Sequence, residues 1–379
     1  MPAPDPARQW IEEGERAMRI CNACRYCEGF CAVFPALERR LTFAEGDLNF
    51  LANLCHDCGE CLYSCQYAPP HEFGLDLPKT MARIRRETYR KYAWPGPLKL
   101  LIQRSGLALL AGAVAAPALL FAALKWLVPS AVLFSAHPME AGAFFRVMSY
   151  TAMTALFTVL ALIAAAAFVA GMVAFWRDMG EPLGSFWNVK ALGRAVRESL
   201  SLRYLDGGGA GCAYPDEIPS QARRWFHHLT FYGFMLCFAA TAVAAVYHNV
   251  LGWEAPYPLL SAPVVLGTLG GIGLLIGPVG LLWLKWVRDP ERADQAQSGM
   301  DTAFLALLFL SSATGFLLLG FRESAAMGTL LAIHLGVVAG LFITMPYGKF
   351  VHAIYRFAAL VRNALEEQRR AGRTVAGTS

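Results

Sequence analysis

Eight cysteines near the start of this chain fall in two runs of identical spacing. The first is Cys21-Asn-Ala-Cys24-Arg-Tyr-Cys27-Glu-Gly-Phe-Cys31, and the second, after a 23-residue spacer, is Cys55-His-Asp-Cys58-Gly-Glu-Cys61-Leu-Tyr-Ser-Cys65. Each is C-x2-C-x2-C-x3-C, the spacing that sets three thiolates around one [4Fe–4S] cube and sends the fourth cysteine to the other cube. The expected sets are therefore Cys21, Cys24, Cys27 and Cys65 on one cluster, and Cys55, Cys58, Cys61 and Cys31 on the second. Zinc is the weaker reading, because structural zinc sites close with four ligands in two pairs. Disulfides need an oxidising compartment, and the first twenty residues, with Glu12, Glu13 and Glu15, show no apolar stretch of a signal peptide.

A second group of chemistry-bearing residues lies in apolar surroundings. His227, His228 and His248 fall on one hydrophobic stretch, and His334 and His352 on another. Ionisable side chains inside a membrane are rare and mostly functional. On a continuous helix the 18 positions from His334 to His352 make about five full turns, so both project from one face. His248 lies about 60° from His227 and about 160° from His228. With antiparallel spans, His227 or His228 meets His352 near one membrane edge and His248 meets His334 near the other. That is the arrangement of two stacked bis-histidine haem sites, with one or two b haems, since no C-x-x-C-H is present. Histidines at span ends also serve as plain interfacial anchors. Arg223, Arg224, Lys349 and Arg356 could pair with haem propionates or simply mark the cytoplasmic side. His56 and His71 flank the second run and are expected to shield a cluster without ligating it. Cys237 is expected to be an inert packing residue.

The elements that must position these groups follow from composition. Hydrophobic residues make up 56% of the 379 residues and charged ones 16%, with a mean hydropathy of +0.40, well above a soluble domain. The charges gather at the front, between apolar segments and at the tail. The expected fold is all-α: an N-terminal α-helical two-cluster ferredoxin head (1–94), a six-helix transmembrane b-cytochrome-like bundle (95–358) and a tail (359–379). In the head, 36–54 and 78–92 show helical periodicity, and Trp94-Pro95-Gly96-Pro97 ends the second helix. Six apolar segments at about 105–128, 150–176, 226–250, 263–287, 302–320 and 326–346 are each near the ~20 residues that cross a bilayer. Seven Lys and Arg residues lie in 177–224 and six between Lys349 and Arg373, against only Arg146 and Arg322 in the opposite loops. This bias puts both termini and the cysteine head in the cytoplasm, beneath an inner membrane. The net charge of +5 follows the membrane flanks, so no nucleic-acid partner is expected. Gly207–Gly211 has no preceding strand and no G-x-G-x-x-G, and is expected to be a flexible connector.

The paired cysteine runs, Arg223-Arg-Trp-Phe-His-His-Leu-Thr-Phe-Tyr-Gly-Phe opening the third span, Tyr247-His248, and Met345-Pro-Tyr-Gly-Lys-Phe-Val-His352 closing the sixth resemble the tricarballylate/citrate-utilisation B family. The likeness covers essentially the whole chain. It implies a membrane electron-transfer protein carrying iron–sulfur clusters and haem. Such a protein takes electrons from an FAD-dependent dehydrogenase, one that oxidises tricarballylate to cis-aconitate, and passes them to membrane quinone. The basic 79–91 helix is one expected docking place for that partner. The head also resembles the iron–sulfur modules of heterodisulfide reductases and fumarate reductases. A subunit of another quinone-linked oxidoreductase is therefore an alternative, as is a redox-sensing transporter. Against a catalytic disulfide reductase, the chain lacks Cys-Cys-Gly elements beyond the two runs. Against a transporter, no matching pair of broken helices is visible.

Overall fold

The computed structural model describes residues 6–97, 106–138, 140–213, 216–288 and 294–376. The head opens with α1 (Pro6–Cys24), α2 (Val33–Leu37), α3 (Glu45–Leu54), α4 (Glu60–Tyr63) and α5 (Leu77–Tyr92). The helix expected over 36–54 is thus two helices with a break at 38–44. The helix expected over 78–92 is α5, whose start is capped by Asp76 accepting from the Lys79 N–H at 3.0 Å. Then come α6 (Gly106–Leu127), the short α7 (Ser130–Leu133), α8 (Tyr150–Asp178), α9 (Val189–Leu200), α10 (Ala222–Asn249), α11 (Ala262–Val287), α12 (Gln295–Phe321), α13 (Met327–Thr344) and α14 (Val351–Ala376). No strand occurs among the described residues; Cys212 and Ser220 form an isolated bridge.

Five helices, α8 and α10 to α13, are long and apolar enough to cross a membrane, and α6 contributes a shorter apolar stretch, Val114–Leu127. The core of the head contains Leu48, Leu51 and Ile84 of α3 and α5 together with Phe175 and Trp176 at the end of α8, Ala191 and Ala195 of α9, and Ala358 and Val361 of α14. The first helices and the last therefore pack together, as an even number of crossings would leave them. The 22 residues of α6 are about 33 Å of helix.

Inside the bundle, small residues let backbones touch, which is how helices associate in lipid. A Cβ on Gly270 would meet the Gly233 carbonyl oxygen at 2.7 Å, and one on Gly336 would clash with Pro117 Cα. These contacts fasten α10 to α11 and α6 to α13. By contrast α10 and α13 make no extended contact with each other.

The last helix is not a free tail. Arg39 and Arg362 each reach Glu366 at 3.0 Å, Arg40 pairs with the same carboxylate, and Arg40 and Arg362 share Asp47 at 2.8 and 3.0 Å. The two guanidiniums lie over the Phe50 ring at 4.8 and 4.5 Å. Replacing Glu366 by glutamine leaves buried Arg40 and Arg362, and Arg39 beside them, short of their shared anion. Glu366→Gln is expected to cost about 3–5 kcal/mol, measured as a lowered thermal midpoint of the detergent-solubilised protein. An unchanged midpoint would show that α14 does not hold the head.

Candidate iron–sulfur and histidine sites

Short loops converge the cysteines. Within the first run Arg25 takes a left-handed conformation (φ 56°), and within the second Asp57 does the same (φ 55°), followed by Gly59 (φ 82°). Non-glycine residues in this region are uncommon and gather at functional sites. The turns aim each cysteine inward, and Asp57 N–H donates to Cys55 Sγ at 3.4 Å. Cys21, Cys24, Cys27 and Cys65 line one cavity with Cys61, Phe34, Leu75 and Leu77. Gln66 Nε2 donates to Cys24 Sγ at 3.7 Å across it.

Burial and the neighbouring thiols act together on Cys21, Cys31 and Cys61. Burial pushes Cys21 up to about 12, and its further neighbours in order of effect are Cys27, Cys65 and Cys24. Burial raises Cys31 well above the ordinary thiol range, with Cys58 and Cys55 next. Cys61 is raised by burial, then by Cys58, Cys55 and Cys31. Buried thiols this close do not ionise together unless a cation shares the space. The donor set thus fits iron, the thiolates' partner in ferredoxin clusters. Among the described residues no three Cys, His, Asp or Glu side chains crowd to the spacing of a single metal ion. A cube has a different requirement, because each of its four thiolates binds a separate iron at a separate corner.

Two features here carry no sequence motif. The Gly207–Cys212 stretch is a fitted cover rather than a flexible connector. A Cβ on Gly208 would meet the Gly29 carbonyl oxygen at 3.2 Å, and one on Gly59 would meet that of Ala213 at 2.9 Å. The cover therefore bridges both cysteine runs, and Ala213 N–H donates to Glu60 at 3.1 Å. Its Cys212 is buried beside Cys58 and donates to the Leu205 carbonyl at 3.4 Å. Second, Arg223 at the start of α10 donates to the carbonyls of Asp57 and His56. Arg356 of α14 donates to those of Cys55 (2.7 Å) and Asn53 (3.3 Å). The second run is thereby tied to both histidine-bearing segments. His56, buried between Arg356, Arg223 and Arg85, is held well below the ordinary imidazole value, first by burial and then by those cations.

These bonds engage Arg223 and Arg356, two of the four cations expected either to pair with haem propionates or to mark the cytoplasmic side. Lys349 pairs with Asp301 at 2.9 Å, and Arg224 donates to the Ser201 carbonyl at 2.9 Å. Several basic side chains of α5 are already engaged, while Arg90 and Lys91 stay exposed. Arg85 is buried, Arg83 lies over the Trp10 ring at 4.1 Å, Arg86 pairs with Asp294 at 2.7 Å, and Lys91 with Glu45 at 2.7 Å and Asp178 at 3.0 Å.

Of the five histidines, the structure brings two together. The rings of His227 and His352 lie 6.1 Å apart with planes at 76°. Imidazoles on opposite sides of one metal, each bonded at about 2 Å, have centres on the order of 6 Å apart. His352 Nδ1–H donates to the Lys349 carbonyl at 2.6 Å, which leaves the Nε2 lone pair free, as a metal ligand requires. His227 Nδ1 is buried without a hydrogen-bond partner. The pair thus has the ring spacing and the free ring nitrogens that two imidazoles on one metal would need. Helical phase does not produce this pairing. The chain leaves α13 at Thr344 and turns through Met345–Tyr347 before α14 begins at Val351, so counting turns from His334 to His352 does not apply.

The other three stand apart. His228 stacks on Tyr232 at 5.6 Å beside exposed Trp225, in the manner of an interfacial anchor. His248 stacks on Tyr150 at 3.5 Å and is in ring contact with Phe145, while His334 lies against α12, not against His248. Thr314 Oγ1 is 3.0 Å from His334 Nδ1. That hydroxyl also lies 2.7 Å from the Leu310 carbonyl. A Cβ on Gly315 would come within 3.2 Å of this ring. His137 bonds the Val132 carbonyl at 2.8 Å.

An all-α chain that joins a ferredoxin-like cysteine head to helices of membrane-spanning length defines a class, and the comparisons name the member. The family model described as citrate utilization protein B matches residues 100–373, and its Fer4-like domain matches residues 14–91. The chain is 49% identical over 368 residues to the Escherichia coli protein named citrate utilization protein B, covering 96% of this chain and 95% of that one. No solved structure matches. The chain belongs to the citrate utilization protein B family.

The crossed sets predict unlike losses. Cys65→Ser is expected to remove the cluster signal shared with Cys21, Cys24 and Cys27, and Cys31→Ser the other. Low-temperature EPR of the reduced variants reads both. Identical residual spectra from the two would mean that each run closes its own cluster.

Proposed function

We propose that this protein is a membrane electron-transfer component on the route from a flavoprotein dehydrogenase to the quinone pool, serving tricarballylate or citrate utilisation from the bacterial inner membrane, with its head and both termini cytoplasmic. Two [4Fe–4S] clusters and b haem, when bound, supply one-electron steps that no side chain here performs. The protein's own residues hold, space and insulate those carriers.

The observation that carries the reading is the contact between the second cysteine run and the His227–His352 pair. Arg223 lies four residues before His227 and Arg356 four after His352, and both grip the backbone of Asn53–Asp57. His56, between them, excludes water as a buried neutral ring. The first cysteine set lies on the other side, where Arg25 and Tyr26 of its loop are exposed. Electrons given to the head at that surface meet the first set, then the second, then the histidine pair. The partner's docking place is accordingly this loop rather than α5. The family likeness to a protein of citrate utilisation supports the same reading.

The test is spectroscopic. Purified protein is expected to show a reduced b-type Soret and α band together with cluster EPR signals. His227→Ala and His352→Ala are expected to lose the haem bands of the inner site, whereas His228→Ala keeps them. Reduced protein in liposomes is expected to be reoxidised on adding a soluble quinone. Wild-type protein with neither haem bands nor cluster signals, or with reduced carriers that quinone leaves untouched, ends this reading.

A further inference from the structure

Between α8 and α10 lies α9, a helix too short and too polar to cross a bilayer, and its faces are sharply divided. At 100° per residue, Val189, Val196 and Leu200 fall within about 40° of one another, while Ala191, Ala195 and Glu198 lie on the opposite side. The second group is buried against α14, where Arg194 reaches Glu367 at 2.5 Å. The first is uncovered: Val189 is 81% exposed, and Trp187, just before the helix, 73%. Lys190 and Arg197, seven apart, flank this apolar stripe and are exposed. No carboxylate pairs with either among the described residues.

The end of the helix shows what covers the stripe. The last carbonyls of a helix lack intrahelical donors and are left to water when the end is solvated. Here the Leu200 carbonyl accepts from the Tyr232 hydroxyl at 2.7 Å and the Ser201 carbonyl from Arg224 at 2.9 Å. Tyr232 lies eight residues beyond Arg224, about 12 Å further along α10, and its ring shares an exposed face with Trp225 and Leu229. That face belongs to a helix of membrane-spanning composition. The stripe on α9 thus runs into the lipid face of α10 at a depth where carbonyls need protein donors.

We propose that α9 lies in the plane of the membrane. Val189, Val196, Leu200 and Trp187 enter the headgroup–acyl boundary, and Lys190 and Arg197 bind anionic lipid headgroups. An apolar stripe with basic flanks and a tryptophan is the chemistry of an interfacial helix, and the negative cytoplasmic leaflet is its natural partner. The opposite face of α9 holds α14, so the lipid contact fixes the height of the head above the bilayer. The inference does not rest on the electron-transfer reading.

The test uses full-length protein in liposomes of phosphatidylethanolamine and phosphatidylglycerol. Val196→Cys carries a bimane label, with Glu12→Cys on the exposed face of α1 as the aqueous control and the unsubstituted protein reporting labelling of native cysteines. At 196 the emission is expected to be blue-shifted, and a 5-doxyl lipid to quench it at least twofold more than at 12. Trp187→Phe, which leaves the cysteines alone, is expected to remove a share of the lipid-quenchable tryptophan emission. Lys190→Glu with Arg197→Glu is expected to reduce the quenching at 196 in anionic vesicles but not in phosphatidylcholine. Water-like emission at 196 that iodide quenches as readily as at 12 overturns the placement. Equal quenching with and without the charge reversal overturns the headgroup assignment.

Discussion

Two guanidinium groups set the relation between the head and the bundle. Arg223 and Arg356 come from different helices on either side of the His227–His352 pair, and both donate to carbonyls of one five-residue stretch, Asn53–Asp57. Hydrogen bonds from charged donors to partly buried carbonyls are each worth about 1.5–3 kcal/mol. Their geometric effect matters more here. The cysteine loop cannot shift without breaking bonds to both segments, so the spacing between the second thiol set and the histidine pair is built into backbone positions. Arg85, buried below, adds a third positive charge, which suits a site meant to hold a net negative thiolate cluster.

The same economy governs the rest of the head. The glycine-rich cover, Cys212 and Glu60 seal the second set from above, while the first set keeps an exposed loop. Burial is thus graded along the direction in which electrons are proposed to move. In the membrane, α10 leans on α11 through glycine contacts and leaves its other faces to lipid and to the histidine pair, while α13 is held by α6 on its far side.

Much of this was legible in the sequence, and the reason differs from residue to residue. Cluster ligation demands short fixed spacings, so Cys21 to Cys65 announce their grouping, and Cys21, Cys24, Cys27 and Cys65 do line one cavity, together with Cys61. Spans are legible because lipid imposes length and apolarity together, and five of the six segments meet that standard outright. The histidines were only half legible. Phase arithmetic assumes one continuous helix, but Pro346 and Gly348 sit where the chain turns, and the turn carries His352 to His227 by a path that counting does not follow. His248 and His334 share no contact, because Tyr150 and Thr314 engage them first. Least legible were the arginines. Their targets are backbone carbonyls, which leave no mark in a sequence, so a structural clamp and a positive-inside charge look alike. The α9 stripe was hidden similarly, its three apolar positions spread among basic residues in what reads as a loop.

The shared core has a bearing on how the molecule is made. The eight cysteines of the two runs leave the ribosome ahead of every long apolar helix, yet the surface that α3 packs against includes Ala358, Val361 and Leu365. A nascent chain halted anywhere before α14 carries both cysteine runs but lacks one wall of their housing. Closing the head thus waits on the synthesis of the bundle, and a domain translated ahead of the apolar helices is finished only after them.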